Sequence, residues 1–175
     1  EFNTMKLLDG SQSGSKVQVS ASKSVADAAL DTADATKEKN TAAIAQTVAK
    51  DKEISYSVTT LDKNGNSTTT SITLIAGAQG TKLKDKDGNE YGAALTADGA
   101  KAEEVNKALA EALSKTDLGK TYNISGTATD ITFEAKEGGE TAQVALTSYS
   151  VDGAAATTAA TTRNTTGADA YTKLD

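Results

Sequence analysis

Residues 53–75 read EISYSVTTLDKNGNSTTTSITLI, and two strands joined by a tight turn follow from them directly. Ile54, Tyr56 and Val58 alternate with Ser55, Ser57 and Thr59, the period-two pattern of a strand that buries one face. Residues 62–66, DKNGN, supply the turn, because Asn and Gly both tolerate positive φ. Residues 67–75 return as a second strand rich in β-branched side chains.

Working outward, DKDGN at 85–89 repeats the same turn chemistry between TKLK (81–84) and EYGAAL (90–95). The helix of clearest pattern spans 100–115, where Val105, Leu109 and Leu113 recur four residues apart beside Ala108 and Ala112. Asp98 is the expected N-cap and Gly119 the expected C-terminal stop. Glu103–Lys107 and Glu111–Lys115 have the favourable i,i+4 order. Residues 121–126, 129–135 and 141–151 read as strands, with KEGGE (136–140) expected to turn the last pair into a hairpin.

Other segments are read from composition. The run 24–50 lacks Gly and Pro and is rich in Ala, so two short helices or one broken helix are expected there. KVQVSAS (16–22) reads as a short strand. DGAAATTAATTRNTTGADA (152–170) has no large apolar residue and reads as a linker, and AYTKLD (170–175) as the first turn of a helix. The sum is an α+β fold, antiparallel β-hairpins and sheet with one or two short packed helices.

Composition excludes several chemistries. The 175 residues include no Cys, His, Pro or Trp, so disulfides, thiolate or imidazole metal sites and Ser–His or Cys–His nucleophiles are absent. Ala, Thr and Ser number 31, 27 and 14, which leaves a thin supply of large core residues. A net charge of −6 with scattered Lys and the single Arg163 disfavours a nucleic-acid partner. No segment reaches the roughly 20 apolar residues that span a bilayer, and no membrane partner is expected.

Each candidate site has a plainer reading. Asp85, Asp87 and Asn89 alternate like calcium ligands, but the sixth and twelfth positions of such a loop are Glu90 and Thr96, where Gly and an acid are required. Glu134, Glu137 and Glu140 are the carboxylates best placed for paired acid–base work, in a chain with few aromatic platforms for a sugar. GAQGTK (77–82) has phosphate-loop residues at the wrong spacing. Asn66, Asn123 and Asn164 open glycosylation sequons, as a chain rich in Thr and Ser produces by chance, and the Thr/Ser runs 67–71 and 157–166 offer hydroxyls for O-linked sugars. The reading is therefore of a non-enzyme: catalytic residues none, cofactor-binding residues none, metal ligands none, and no cofactor.

The ends carry a resemblance. EFNTMKLLDGS at 1–11, followed by SKVQVSAS at 15–22, resembles the segment of bacterial flagellins where the N-terminal rod helices hand over to the central region. TTGADAYTKLD at 165–175 resembles the family's return to its C-terminal rod helix, with Ala168-Asp169-Ala170-Tyr171 where Asn-Pro-Leu is common. With Met5 internal, the chain is expected to be a fragment of a longer protein. The resemblance implies 1–21 as the edge of the rod domain and first strand, 22–155 as a variable outer domain, one or two subdomains, and 156–175 as linker and return to the rod. It implies a structural subunit of the extracellular flagellar filament, supporting motility, secreted without disulfides and exposed as an antigen. Its partners would be other flagellin subunits, through termini this chain lacks, and host antibodies, with the fragment itself monomeric. The alternative is an exported cell-surface adhesin or surface-layer β-module, which the Thr-rich strands fit and the helix at 100–115 does not.

Overall fold

The computed structural model describes residues 30–174. They divide into two compact bodies. In the first, β1 (Leu30–Ala33) pairs antiparallel with β12 (Tyr171–Leu174), Ala33 opposite Tyr171. The second body, Ala35–Asp169, holds everything else. The segments expected to match the flagellin junction at 1–11 and the strand at 16–22 lie outside the described residues.

The 53–75 hairpin forms as read: β3 (Glu53–Leu61) pairs with β4 (Ser67–Ile75), Glu53 opposite Ile75 and Leu61 opposite Ser67. Ile54, Tyr56, Val58 and Thr60 face inward and are buried. The outward hydroxyls bond across the ladder, Ser55 to Thr73 at 2.8 Å, Ser57 to Ser71 at 2.7 Å and Thr59 to Thr69 at 2.9 Å. This hairpin is the middle of a six-stranded antiparallel sheet ordered β10-β9-β3-β4-β5-β6. Its other members are β5 (Leu83–Lys84), β6 (Glu90–Tyr91), β9 (Gln143–Val151) and β10 (Thr157–Ala159). A four-stranded sheet, β11-β2-β8-β7, comprises β2 (Lys39–Ala43), β7 (Tyr122–Gly126), β8 (Asp130–Ala135) and β11 (Thr161–Thr165). Among the described residues the class is α+β, antiparallel sheets with two short helices.

Helix α1 (Ala102–Ser114) buries Val105, Ala108, Leu109, Ala112 and Leu113, the stripe its spacing implies. Its start differs from expectation. Lys101 is the N-cap, and Glu104 reaches back to accept the Lys101 N–H at 2.9 Å. Asp98 instead accepts the Gln79 N–H at 2.9 Å, because Ala100 is still paired with Val48 and the chain is not yet free to coil. Glu103 does pair with Lys107 at 2.9 Å, whereas Glu111 accepts the Gly92 N–H at 2.8 Å. Gly119 lies inside a second short helix, α2 (Leu118–Thr121), and Lys115 caps α1.

Four readings are corrected. Of the run 24–50 expected to be helical, 24–29 lies outside the described residues, and over 30–50 there is no helix: β1, β2 and single bridges at Thr36 and Val48 replace it. Ladders with β8 and β11 on both sides of β2 outweigh the helical preference of its alanines. KEGGE does not close a hairpin, because both edges of β8 are taken by β2 and β7, so the chain crosses to the other sheet and β9 pairs with β3. The 152–170 linker carries β10 and β11, one on each sheet. The last segment extends as β12 rather than turning helical.

One core joins both sheets and α1, with Tyr56, Phe133, Ile54, Leu74, Leu83, Leu109, Leu113 and Ile131 fully enclosed. Tyr56 carries a defect within it. Its hydroxyl is buried without a hydrogen-bond partner. Burial pushes the phenol far up, offset only in part by Thr147, whose own hydroxyl is engaged with Thr161 at 3.0 Å. Tyr56→Phe removes an unpaired polar atom and is expected to leave stability unchanged or raise it by about 1 kcal/mol. A urea melt reading a loss of stability would show that the hydroxyl has a partner in solution.

Candidate functional site

The most developed polar constellation lies where the chain enters and leaves the 35–169 body. Thr36 and Ala168 sit side by side in an antiparallel bridge, Thr36 N–H donating to Ala168 O at 2.9 Å and Ala168 N–H to Thr36 O at 3.2 Å. The Thr36 hydroxyl donates to Thr166 O at 2.8 Å, and Gly139 N–H to Thr36 O at 2.9 Å. The incoming strand, the outgoing strand and the 136–140 crossing are thus tied at one pole.

Beneath this bridge lies Glu38, whose side chain is 0% exposed. Its carboxylate accepts Arg163 Nε at 2.8 Å and Arg163 Nη2 at 2.9 Å, a bidentate pair. It also accepts the Gly167 N–H at 2.8 Å and Asn40 Nδ2 at 3.0 Å. Strand geometry explains the meeting: Arg163 on β11 lies opposite Asn40 on β2, two residues from Glu38. Gly167 is required by contact, since a Cβ there would stand 2.3 Å from the Gly139 carbonyl oxygen. Burial pushes the Glu38 carboxyl up, but Arg163, the Gly167 N–H and Asn40 together outweigh it and hold the group below the usual glutamate value. Tyr122, buried nearby, is pushed up to about 12, by burial first and then by the Glu38 charge. Its hydroxyl donates to Ala142 O.

What this arrangement does is hold backbone segments together. Every oxygen of Glu38 is occupied, and the Arg163 fork is spent on it. The neighbouring cleft of about 510 Å³, between the β3–β4 tip and Glu140–Gln143, has its charges paired in the same way. Lys63 Nζ lies 2.6 Å from Glu140, and Asp62 accepts the amides of its own turn.

The residues singled out in the sequence are scattered. Asp85 accepts the Asp87 and Asn89 N–H groups at 2.9 and 3.0 Å, Asn89 Nδ2 at 3.0 Å and the Tyr91 hydroxyl at 2.9 Å. The Asn89 side chain leads the contacts that keep this carboxyl below its ordinary value. Among the described residues no three acidic side chains cluster as a metal site would need. Glu134 stands on the outward face of β8, Glu137 is exposed on the crossing, and Glu140 pairs with Lys63. Residues 77–82 form a loop. Asn66, Asn123 and Asn164 are all exposed, with Asn66 Nδ2 bonded to Asp62 and Asn164 accepting the Thr41 hydroxyl. No motif in the sequence marks Glu38, Asn40, Arg163 or Gly167 as a cluster. The one available signal was a lone Arg inside a threonine run, a residue type that must find an anion wherever it is drawn inward.

No family model, no curated protein and no solved structure matches the chain.

Proposed function

We propose that the chain is the outer, surface-exposed part of a bacterial flagellin, a structural and antigenic module of the flagellar filament. The observation that carries the reading is the pole at Thr36 and Ala168, where the 35–169 body begins and ends side by side and is locked by Glu38 and Arg163. A body with that connectivity can be inserted into another domain at little cost to its host, because the host sees two adjacent chain ends. The resemblance of 1–11 and 165–175 to the flagellin junctions supports a flagellin as that host. Internally paired charges and a hydroxyl-covered sheet suit spacing and display rather than catalysis.

The test is immunogold electron microscopy on the bacterium that carries the gene, with antibodies raised against residues 35–169. Label distributed along the whole length of the filaments is the expected result. Label confined to the cell body would discard the filament reading and promote the surface adhesin.

A further inference from the structure

The two DK-x-G-N turns are the same structure built twice, and they differ at one atom-for-atom position. In the first, Asp62 Oδ1 accepts the Asn64 and Asn66 N–H groups, both at 2.9 Å, and Asp62 Oδ2 accepts Asn66 Nδ2 at 3.2 Å. In the second, Asp85 treats Asp87 and Asn89 in the same way. Gly65 and Gly88 have φ of +84° and +85°, and their N–H groups donate to Asp62 O and Asp85 O, both at 3.1 Å. Neither Asn64 nor Asp87 has positive φ. Each turn is therefore a type I turn closed by a left-handed glycine. Where the first has Asn64, the second has Asp87.

Asn64 is the only Asn in the chain followed by Gly, and it lies exposed at the hairpin tip. With no Cβ on Gly65 to hinder approach, its deprotonated amide nitrogen can attack Asn64 Cγ. The N–Cγ bond forms, the Cγ–Nδ2 bond breaks, and the proton that the Gly65 nitrogen gave up to water returns to Nδ2, so that ammonia leaves and a cyclic imide remains. Water then opens the ring, at Cγ to give Asp or at the backbone carbonyl to give isoAsp. No other reactant is needed. The closed turn opposes the first step, because the Gly65 N–H is bonded to Asp62 O and the third residue of a type I turn, the place Asn64 takes, has ψ of about 0°, away from the attack geometry.

We propose that Asn64 is a spontaneous deamidation site, that the Asp62 carboxylate restrains its rate by keeping the turn closed, and that the aspartate product preserves the turn. The second turn supplies the product state, an Asp at the equivalent place with every hydrogen bond intact. The isoAsp product does not fit, since an added main-chain methylene separates Asn64 Cα from Gly65 N and displaces the Gly65 bond to Asp62. Conversion to Asp makes the tip, and the chain, one unit more negative than −6.

Mass spectrometry of the folded protein held at mildly alkaline pH tests this. Asn64 should convert before the other asparagines, roughly fivefold faster in Asp62→Ala, the factor one ordinary hydrogen bond sets. Asp85→Ala should leave the Asn64 rate unchanged. A synthetic 53–75 peptide, with no fold to lose, should convert faster than the intact chain, and Asn64→Asp should melt at the wild-type temperature. Equal rates in wild type, Asp62→Ala and peptide would overturn the restraint. Prior conversion at another asparagine would overturn the site, and a lowered melting temperature in Asn64→Asp the preserved turn.

Discussion

Arg163→Leu is expected to lower stability by about 3 kcal/mol, the low end of what removing one partner of a buried ion pair costs. The low end applies because Arg163 is 40% exposed, while the carboxylate it leaves behind is fully enclosed. For a chain of this size that corresponds to a melting temperature lower by about 6–12 °C. Glu38→Gln keeps the shape and one acceptor oxygen and should cost less, about 2 kcal/mol. Replacing both residues by Leu should be milder than the sum of the singles, since neither an anion nor a cation is stranded. The loss should also be local. Amide exchange at Thr36 and Ala168 should accelerate first, while the β3–β4 amides keep their protection.

The acid response follows from the same pair. Glu38 titrates lower in the folded chain than its usual value of 4.5. The unfolded chain therefore takes up this proton first as pH falls, and the stabilisation is fully present above 4.5 and lost as pH drops through the folded value. Melting temperatures measured from neutral into acid should fall more steeply in wild type than in Glu38→Gln. Parallel curves would mean that the carboxylate titrates as an ordinary exposed group.

The parts of the fold that were legible are those whose information is local. β3, β4 and their turn carry alternation and punctuation within 23 residues, and α1 carries its stripe within 13. The unread parts depend on partners far along the chain. β2 is a strand because β8 and β11 flank it, and the alanines of 39–43 say nothing of that. β11 looked like a linker because its inward residues are small, yet its Arg163 reaches Glu38, 125 positions away. Asn64 and Gly65 together signal the turn at 62–66, whereas in the structure only Gly65 takes positive φ and Asp62 organises the amides. Glu38 was invisible for a different reason. A Glu between two Lys reads as solvated, and only the three-dimensional meeting with Arg163, Asn40 and Gly167 makes its burial tolerable.

Phe133→Ala should be as damaging as any single change in the core, at about 3–5 kcal/mol. Phe133 is 0% exposed on β8, opposite Asn40 on one side and Ile124 on the other. It meets Tyr122 edge to face at 6.3 Å and 84°, which adds about 1 kcal/mol beyond the area it buries. Phe133 sits inside a packed core whose neighbours are themselves fully enclosed, so truncation leaves a cavity that they refill only in part. The void would open beside Asn40, so the Glu38 constellation should loosen with it. Phe133→Leu should cost less, about 1.5 kcal/mol, because most of the volume is kept. Leu146→Ser, at a site 49% exposed on the outer face of the six-stranded sheet, should stay within about 0.5 kcal/mol. Urea melts with fluorescence and circular dichroism followed in parallel would separate the cases. If both sheets belong to one cooperative core, the Phe133→Ala midpoint falls with the two signals coincident. Two separated transitions would mean that the four-stranded sheet melts alone, and that the continuous packing from Tyr56 to Phe133 does not make the sheets a single folding unit.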